Sequence, residues 1–171
     1  MWGSNWYTLW IQLRIIRNMI KHFILSIINI LGLCIIIAAV ALMFVGNNQW
    51  IGILLIVLGV ICLLSLLPFG IKIKSTWPDI IFGIIDNGIL AIMAIFGGYF
   101  GGIGGAVLGG VVGNAITDGI AGIFEGYVAE KFDGKETPNS RSMLRSAVGK
   151  MAGCLFGAGV VLAVASLLQL S

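Results

Sequence analysis

The sequence predicts an all-α, polytopic membrane helix bundle, and three observations predict it. Of 171 residues, 59% are hydrophobic and only 10% are charged, with a mean hydropathy of +1.08. A soluble domain is nearer 45–50% apolar and about 25% charged, so this chain cannot cover itself with polar groups in water. Next, the apolar residues fall into five runs, each close to the roughly 20 residues that a spanning helix needs. Finally, the ten Lys and Arg residues all fall into segments that alternate spans would leave on one side. Strand-like alternation is absent, which argues against a membrane barrel.

The five expected spans cover about residues 22–45, 50–69, 77–100, 104–128 and 151–168. With alternating direction, the N-terminus, the 70–77 loop and the 129–150 loop share a side. That side holds Arg14, Arg17, Lys21, Lys72, Lys74, Lys131, Lys135, Arg141, Arg145 and Lys150. The positive-inside rule then makes the N-terminus cytoplasmic and places the C-terminus outside. The net charge of +3 is a consequence of this placement and gives no reason to expect nucleic acid as a partner. No cleavable signal peptide is expected, because about twenty mixed residues precede the first apolar run.

Residues 1–20 form a segment of their own before the single membrane domain, 21–171. Trp2, Trp6 and Trp10 recur every four residues ahead of Arg14 and Arg17. This reads as an amphipathic helix lying in the interface, an aromatic and basic anchor for the first span rather than a partner-binding element. The first two spans are rich in Leu and Ile and are expected to face lipid.

Helix packing is expected to be Gly-rich in the C-terminal half. Gly101, Gly105, Gly109 and Gly113 repeat every four residues, and so do Gly149, Gly153 and Gly157. Small residues at this spacing make a flat stripe against which another helix packs closely. The stripes serve close packing within one chain or the seam of a homodimer. The Gly-Gly-Tyr-Phe-Gly-Gly-Ile-Gly-Gly run at 97–105 has no preceding strand and no P-loop lysine, so it reads as a tight turn and not a nucleotide loop. Cys34, Cys62 and Cys154 lack CxxC spacing and a nearby histidine, and read as small packing residues.

Four acidic residues fall inside expected spans: Asp79 and Asp86 in the third, Asp118 and Glu125 in the fourth. Each pair is separated by about two helical turns, so each pair shares a face. Asp86 lies about 14 Å in from Trp77 and Asp118 about 16 Å in from Ala129, at a rise of roughly 1.5 Å per residue. Both therefore fall near the bilayer middle, on helices joined by a short turn and expected to be neighbours. An ionised carboxylate there costs at least about 2.5–3.5 kcal/mol. Such groups persist when protonated, when facing water, when holding a cation, or when hydrogen-bonded to a neighbouring helix or subunit. Asn87, Asn114 and Thr117 add neutral oxygens to the region. Carboxylate oxygens suit hard or borderline divalent metals, so Asp86, Asp118 and Glu125 are the candidate metal ligands. A bound divalent ion is the only cofactor to expect.

The segment Asp-Ile-Ile-Phe-Gly-Ile-Ile-Asp-Asn-Gly, from Asp79 to Gly88, resembles the opening of the first membrane helix of the vacuolar iron transporter family. Asp79, Ile81, Phe82, Gly83 and Asp86 match in register, while Ile85 and Asn87 stand where the family carries Asn and Gly. Phe124-Glu125-Gly126-Tyr127 ahead of Glu130-Lys131 is similar to the end of the family's next helix. The resemblance covers residues 79–130. It implies that Asp86 lies on an intramembrane metal path with Glu125 at its cytoplasmic mouth. It also implies exchange of Fe²⁺ or Mn²⁺ for protons by a dimer of five-helix subunits. The family's glutamate-rich cytoplasmic domain has no room in the 129–150 loop.

Together these readings lead to a small transporter or channel for cations, with Asp86 and Asp118 at the midplane and Asp79 and Glu125 as the approach. Its partners are the bilayer and a second copy or other membrane subunits. The rival is a non-catalytic structural or assembly subunit of a larger membrane complex. An enzyme is not expected: the single histidine, His22, sits at a membrane boundary, and no Ser-His-Asp, Cys-His or HExxH arrangement occurs.

Overall fold

The computed structural model describes residues 4–44, 50–131 and 140–168, with side chains described for 10–44, 50–123 and 143–168. Among these residues there is helix and no strand. Helix α1 is Ser4–Phe44, α2 is Ile51–Leu64, α3 is Trp77–Lys131 and α4 is Ser140–Leu167. Two short 3-10 turns, Leu67–Phe69 and Ile73–Thr76, join α2 to α3. Pro68 lies in the first of them and Gly70, at φ +66°, caps its end. Pro78 sits in the opening turn of α3, where a missing N–H costs nothing. By length and composition four of the helices are able to cross a membrane. Large apolar side chains such as Leu42, Phe100 and Ile103 stand exposed, as a lipid-facing surface requires.

Helix α3 is not straight. Gly102 has φ +58° and ψ −144°, outside the helical region, a conformation that a side chain would oppose. The chain reverses there. A Cβ on Gly97 would run into the Gly105 carbonyl, one on Gly109 into the Met93 carbonyl, and one on Gly113 would sit 3.0 Å from the Leu90 Cα. These pairings are antiparallel, so residues 77–101 and 103–131 form two arms lying against each other. The turn expected at Gly101-Gly102 is therefore present.

Helix α4 is the centre of the bundle. It packs parallel to the first arm of α3, with Gly149 beside Thr76, Gly153 beside Ile80 and Gly157 beside Ile84. It packs antiparallel to α2, where Gly52 faces Ala163 and Gly59 faces Phe156. One buried cluster joins Leu33 of α1, Cys62 of α2, Leu66 and Ile71 of the connection, and Leu144, Val148 and Ala152 of α4. Asn29 donates across 3.3 Å to the Ser65 hydroxyl, tying α1 to the end of α2.

Several sequence expectations change. The glycines at 105, 109, 113, 149, 153 and 157 make their close contacts within this chain, whereas Gly101 meets nothing within 4 Å. Helix α2 is not simply lipid-facing, because Gly52 and Gly59, two turns apart, form a seam of their own. Helix α4 begins at Ser140, well before the apolar run at 151, so Arg145 and Lys150 are helical residues and not loop residues. The apolar window marks where lipid begins, while the backbone ladder continues into the polar flank. Helix α1 also passes without interruption through residues 20–22, the expected end of the interfacial segment.

At Gly153 an added Cβ would clash with the Ile80 carbonyl and lie 3.0 Å from the Gly83 Cα, both unyielding backbone atoms. Gly119 has open space. Gly153→Ala is therefore expected to lose about 1–3 kcal/mol by overpacking, and Gly119→Ala to lose nothing. Unfolding of both variants in mixed micelles checks this contrast.

Candidate functional site

The carboxylates are best followed from the Trp77 end of α3. Asp79 lies in the first turn of that helix, where the partial positive charge of the helix terminus favours an anion by about 0.3–1 kcal/mol. The Ser146 hydroxyl of α4 donates to Asp79 Oδ1 over 2.6 Å. Gly149, one turn further along α4, is what lets the two helices come this close, since a Cβ there would sit 2.8 Å from the Asp79 Cβ. Asp79 is thus tied to α4, not to the second arm of α3.

Asp86 lies two turns deeper and is half-buried. It accepts a short hydrogen bond from the Thr117 hydroxyl of the second arm. This contact extends the antiparallel pairing of the arms beyond Leu90 and Gly113. Thr117 is 4% exposed, so the interaction is sheltered by the hairpin. The same hydroxyl oxygen lies 3.3 Å from the Gly113 carbonyl and 3.1 Å from the Asn114 carbonyl. A hydroxyl has one proton to donate and lone pairs to accept. When Asp86 is ionised, Thr117 donates to it. When Asp86 is protonated, Thr117 is able to accept from it and turn its own proton to a carbonyl of its helix. The site stays hydrogen-bonded in either charge state.

Asp118 does not join Asp86. It is exposed, and its Oδ2 accepts a 2.7 Å hydrogen bond from Asn114 Nδ2, one turn back on the same helix. The residue that faces Asp86 is its neighbour Thr117, because consecutive helical residues are turned about 100° apart. Asn87 is half-buried on the first arm. Glu125 belongs to α3, but its side chain lies outside the described residues. Among the described residues, no three of His, Cys, Asp and Glu gather closely enough to hold a metal ion. The two facing acidic ladders expected from sequence thus separate into three places: Asp79 against α4, Asp86 between the arms and Asp118 on an outer face.

Three residues near this region were not singled out as site residues. Ser146 is the donor to Asp79. Lys150 extends its ammonium over the Phe82 ring, 4.8 Å from the centroid. Cys154, one turn along from Lys150, sets its backbone against Gly83 of the first arm of α3. Lys150 reaches Phe82 because α4 starts ten residues before it and runs parallel to the first arm of α3. The signal was the spacing of Ser146, Lys150, Gly153 and Gly157, which already puts them on one helical face.

Comparisons with protein-family models, curated proteins and solved structures find no match to this chain.

The Thr117–Asp86 contact is measurable. A double-mutant cycle of Thr117→Val and Asp86→Ala, read by unfolding in mixed micelles, is expected to give a coupling of roughly 0.6–1.7 kcal/mol, the range of hydrogen bonds between membrane helices. Thr117→Ser, which keeps the hydroxyl, is expected to retain it.

Proposed function

We propose that the chain is a small membrane transporter or channel for cations that moves them by way of Asp86, with protons as one coupled species. The observation that carries this is the Thr117 hydroxyl held against Asp86 between the two arms of α3, with alternative acceptors within reach on its own helix. A carboxylate that keeps a partner in both protonation states is able to take up and release a cation without breaking the packing around it. Protonation then expels a metal ion, and departure of the proton readmits one. Asp79 supplies the approach from the Trp77 end, and Glu125 is expected near the same end. Divalent iron or manganese is the proposed cargo, on the strength of oxygen-rich side chains and the resemblance of residues 79–130 to the vacuolar iron transporter family.

The accompanying topology is five crossings: α1, α2, the two arms of α3, and α4. Its support is the direction of the helix contacts, in which α4 runs with the first arm of α3 and against α2, as alternate crossings demand. The basic residues Arg14, Arg17, Lys72, Lys74, Arg145 and Lys150 then share the cytoplasmic side with the N-terminus.

A second reading, as a structural or assembly subunit, has its own observation. The outer face of the second arm of α3 exposes Asn114 and Asp118, and Gly119 and Gly122 meet nothing within 4 Å. A polar pair and open glycines suit a helix from another subunit or a second copy better than they suit lipid.

Reconstitution of the purified chain in vesicles, with an internal metal-sensitive dye and an internal pH dye, separates the two. Transport predicts metal entry with opposing proton movement, reduced to the level of empty vesicles in Asp86→Asn while the variant still unfolds cooperatively. Full flux in Asp86→Asn removes Asp86 from the path. No flux from the unmodified chain, together with loss of co-purifying subunits in Gly119→Leu, favours the assembly reading.

A further inference from the structure

Helix α1 has 41 residues, about 61 Å at a rise of roughly 1.5 Å per residue. The hydrocarbon core of a bilayer is only about 30 Å thick. The stretch 26–44, about 28 Å by the same rise, fills it. The preceding residues extend beyond the core. From Trp10 to Leu25 every residue is exposed, and the first buried positions are Ser26 and then Leu33. No other described part of this chain covers that stretch.

Its surface is two-sided. At about 100° per residue, Arg14, Arg17, Asn18 and Lys21 fall on one face within about 100° of arc. Leu13, Ile15, Ile16, Met19 and Ile20 occupy the wide opposite arc, with Gln12 the one polar residue among them, and Trp10 lies between Arg14 and Arg17 on the basic face. Such a helix cannot stand in water, since each apolar side chain left exposed forgoes about 1.5–3 kcal/mol. Two facing helices need a narrower apolar seam than this. A wide apolar arc under a basic face is the pattern of a helix lying in a lipid surface. Charge selects the surface further. Residues 1–78 contain no Asp or Glu, so nothing within the segment neutralises Arg14, Arg17 and Lys21.

We propose that residues 10–21 of α1 dock on an anionic lipid leaflet, with Arg14, Arg17 and Lys21 among the headgroup phosphates and Ile16 and Ile20 among the acyl chains. Docking requires α1 to bend, and the structure contains the place for it. The Ser26 hydroxyl donates back to the His22 carbonyl over 2.8 Å, a contact that competes with the helix ladder and bends helices. His22, Leu25 and Ser26 also border a cavity of about 260 Å³ against Pro68, Phe69, Ile71 and Leu144, which gives the hinge room. The inference is independent of cation transport: it assigns this segment to the lipid and leaves Asp86 untouched.

The test uses the full chain in phosphatidylcholine vesicles with and without phosphatidylglycerol. Spin labels are placed at Ile16→Cys and Asn18→Cys after replacement of Cys34, Cys62 and Cys154 by Ala. The proposal expects the label at 16 to contact oxygen in the acyl region and the label at 18 to contact a water-soluble nickel complex, with a larger docked fraction when phosphatidylglycerol is present. Combining Arg14→Gln, Arg17→Gln and Lys21→Gln is expected to lower the ratio of docked to undocked segments on the order of 100-fold, about fivefold per charge. Equal water access at both labels overturns the proposal. So does spin–spin broadening between copies, which makes a second copy the occupant, and so does docking indifferent to lipid charge. Hydrogen exchange of the unsubstituted chain reads the same outcome without labels. Protection over 10–21 is expected to rise with phosphatidylglycerol and to fall with salt, and unchanged protection counts against the proposal.

Discussion

Backbone-to-backbone approach at glycine is the constraint on which the rest of the fold depends. In lipid, helices gain little by hiding apolar surface from one another, because the surrounding chains are as apolar as leucine. Dense contact must hold them instead, and dense contact requires small residues. Here Gly149, Gly153 and Gly157 seat α4 on α3, Gly52 and Gly59 seat α2 on α4, and Gly97, Gly105 and Gly109 close the hairpin of α3. Gly102 supplies the backbone conformation by which that hairpin turns. The polar contacts follow from this framework. Ser146 reaches Asp79 because Gly149 lets the helices meet, and Thr117 reaches Asp86 because the arms are in register.

The acids are handled by three different physical means. Asp79 is held by a helix terminus and a serine. Asp86 is sheltered between helices and supported by a hydroxyl that is able to reverse its donation. Asp118 has, among the described residues, an amide from its own helix and faces outward. The cost of an unpaired charge in lipid makes the last arrangement the least self-sufficient. Lys150 adds a charged group over the Phe82 ring, nearer the Asp79 end of α3.

Much was legible in the residues themselves. Composition determined the solvent, because 59% hydrophobic residues cannot be dissolved by 10% charged ones. The small-residue spacing identified the packing faces, because 3.6 residues per turn puts every fourth residue on one stripe. The reversal near Gly101-Gly102 was readable because only glycine accepts that backbone conformation without strain. The carboxylates at 79, 86 and 118 could be spaced along their helices, because the helix rise is constant.

Only the tertiary structure decided which stripe meets which, and so which acid has which partner. A rotation of about 100° separates Thr117 from Asp118, and periodicity alone does not say which of the two turns inward. Nor does hydropathy say where a helix ends: α4 begins in polar sequence, which brings Lys150 beside Phe82. The continuity of α1 through residue 21 escaped the reading for the same reason. A change in polarity marks the edge of the membrane, whereas the hydrogen-bonded ladder of a helix continues for as long as its backbone groups find one another.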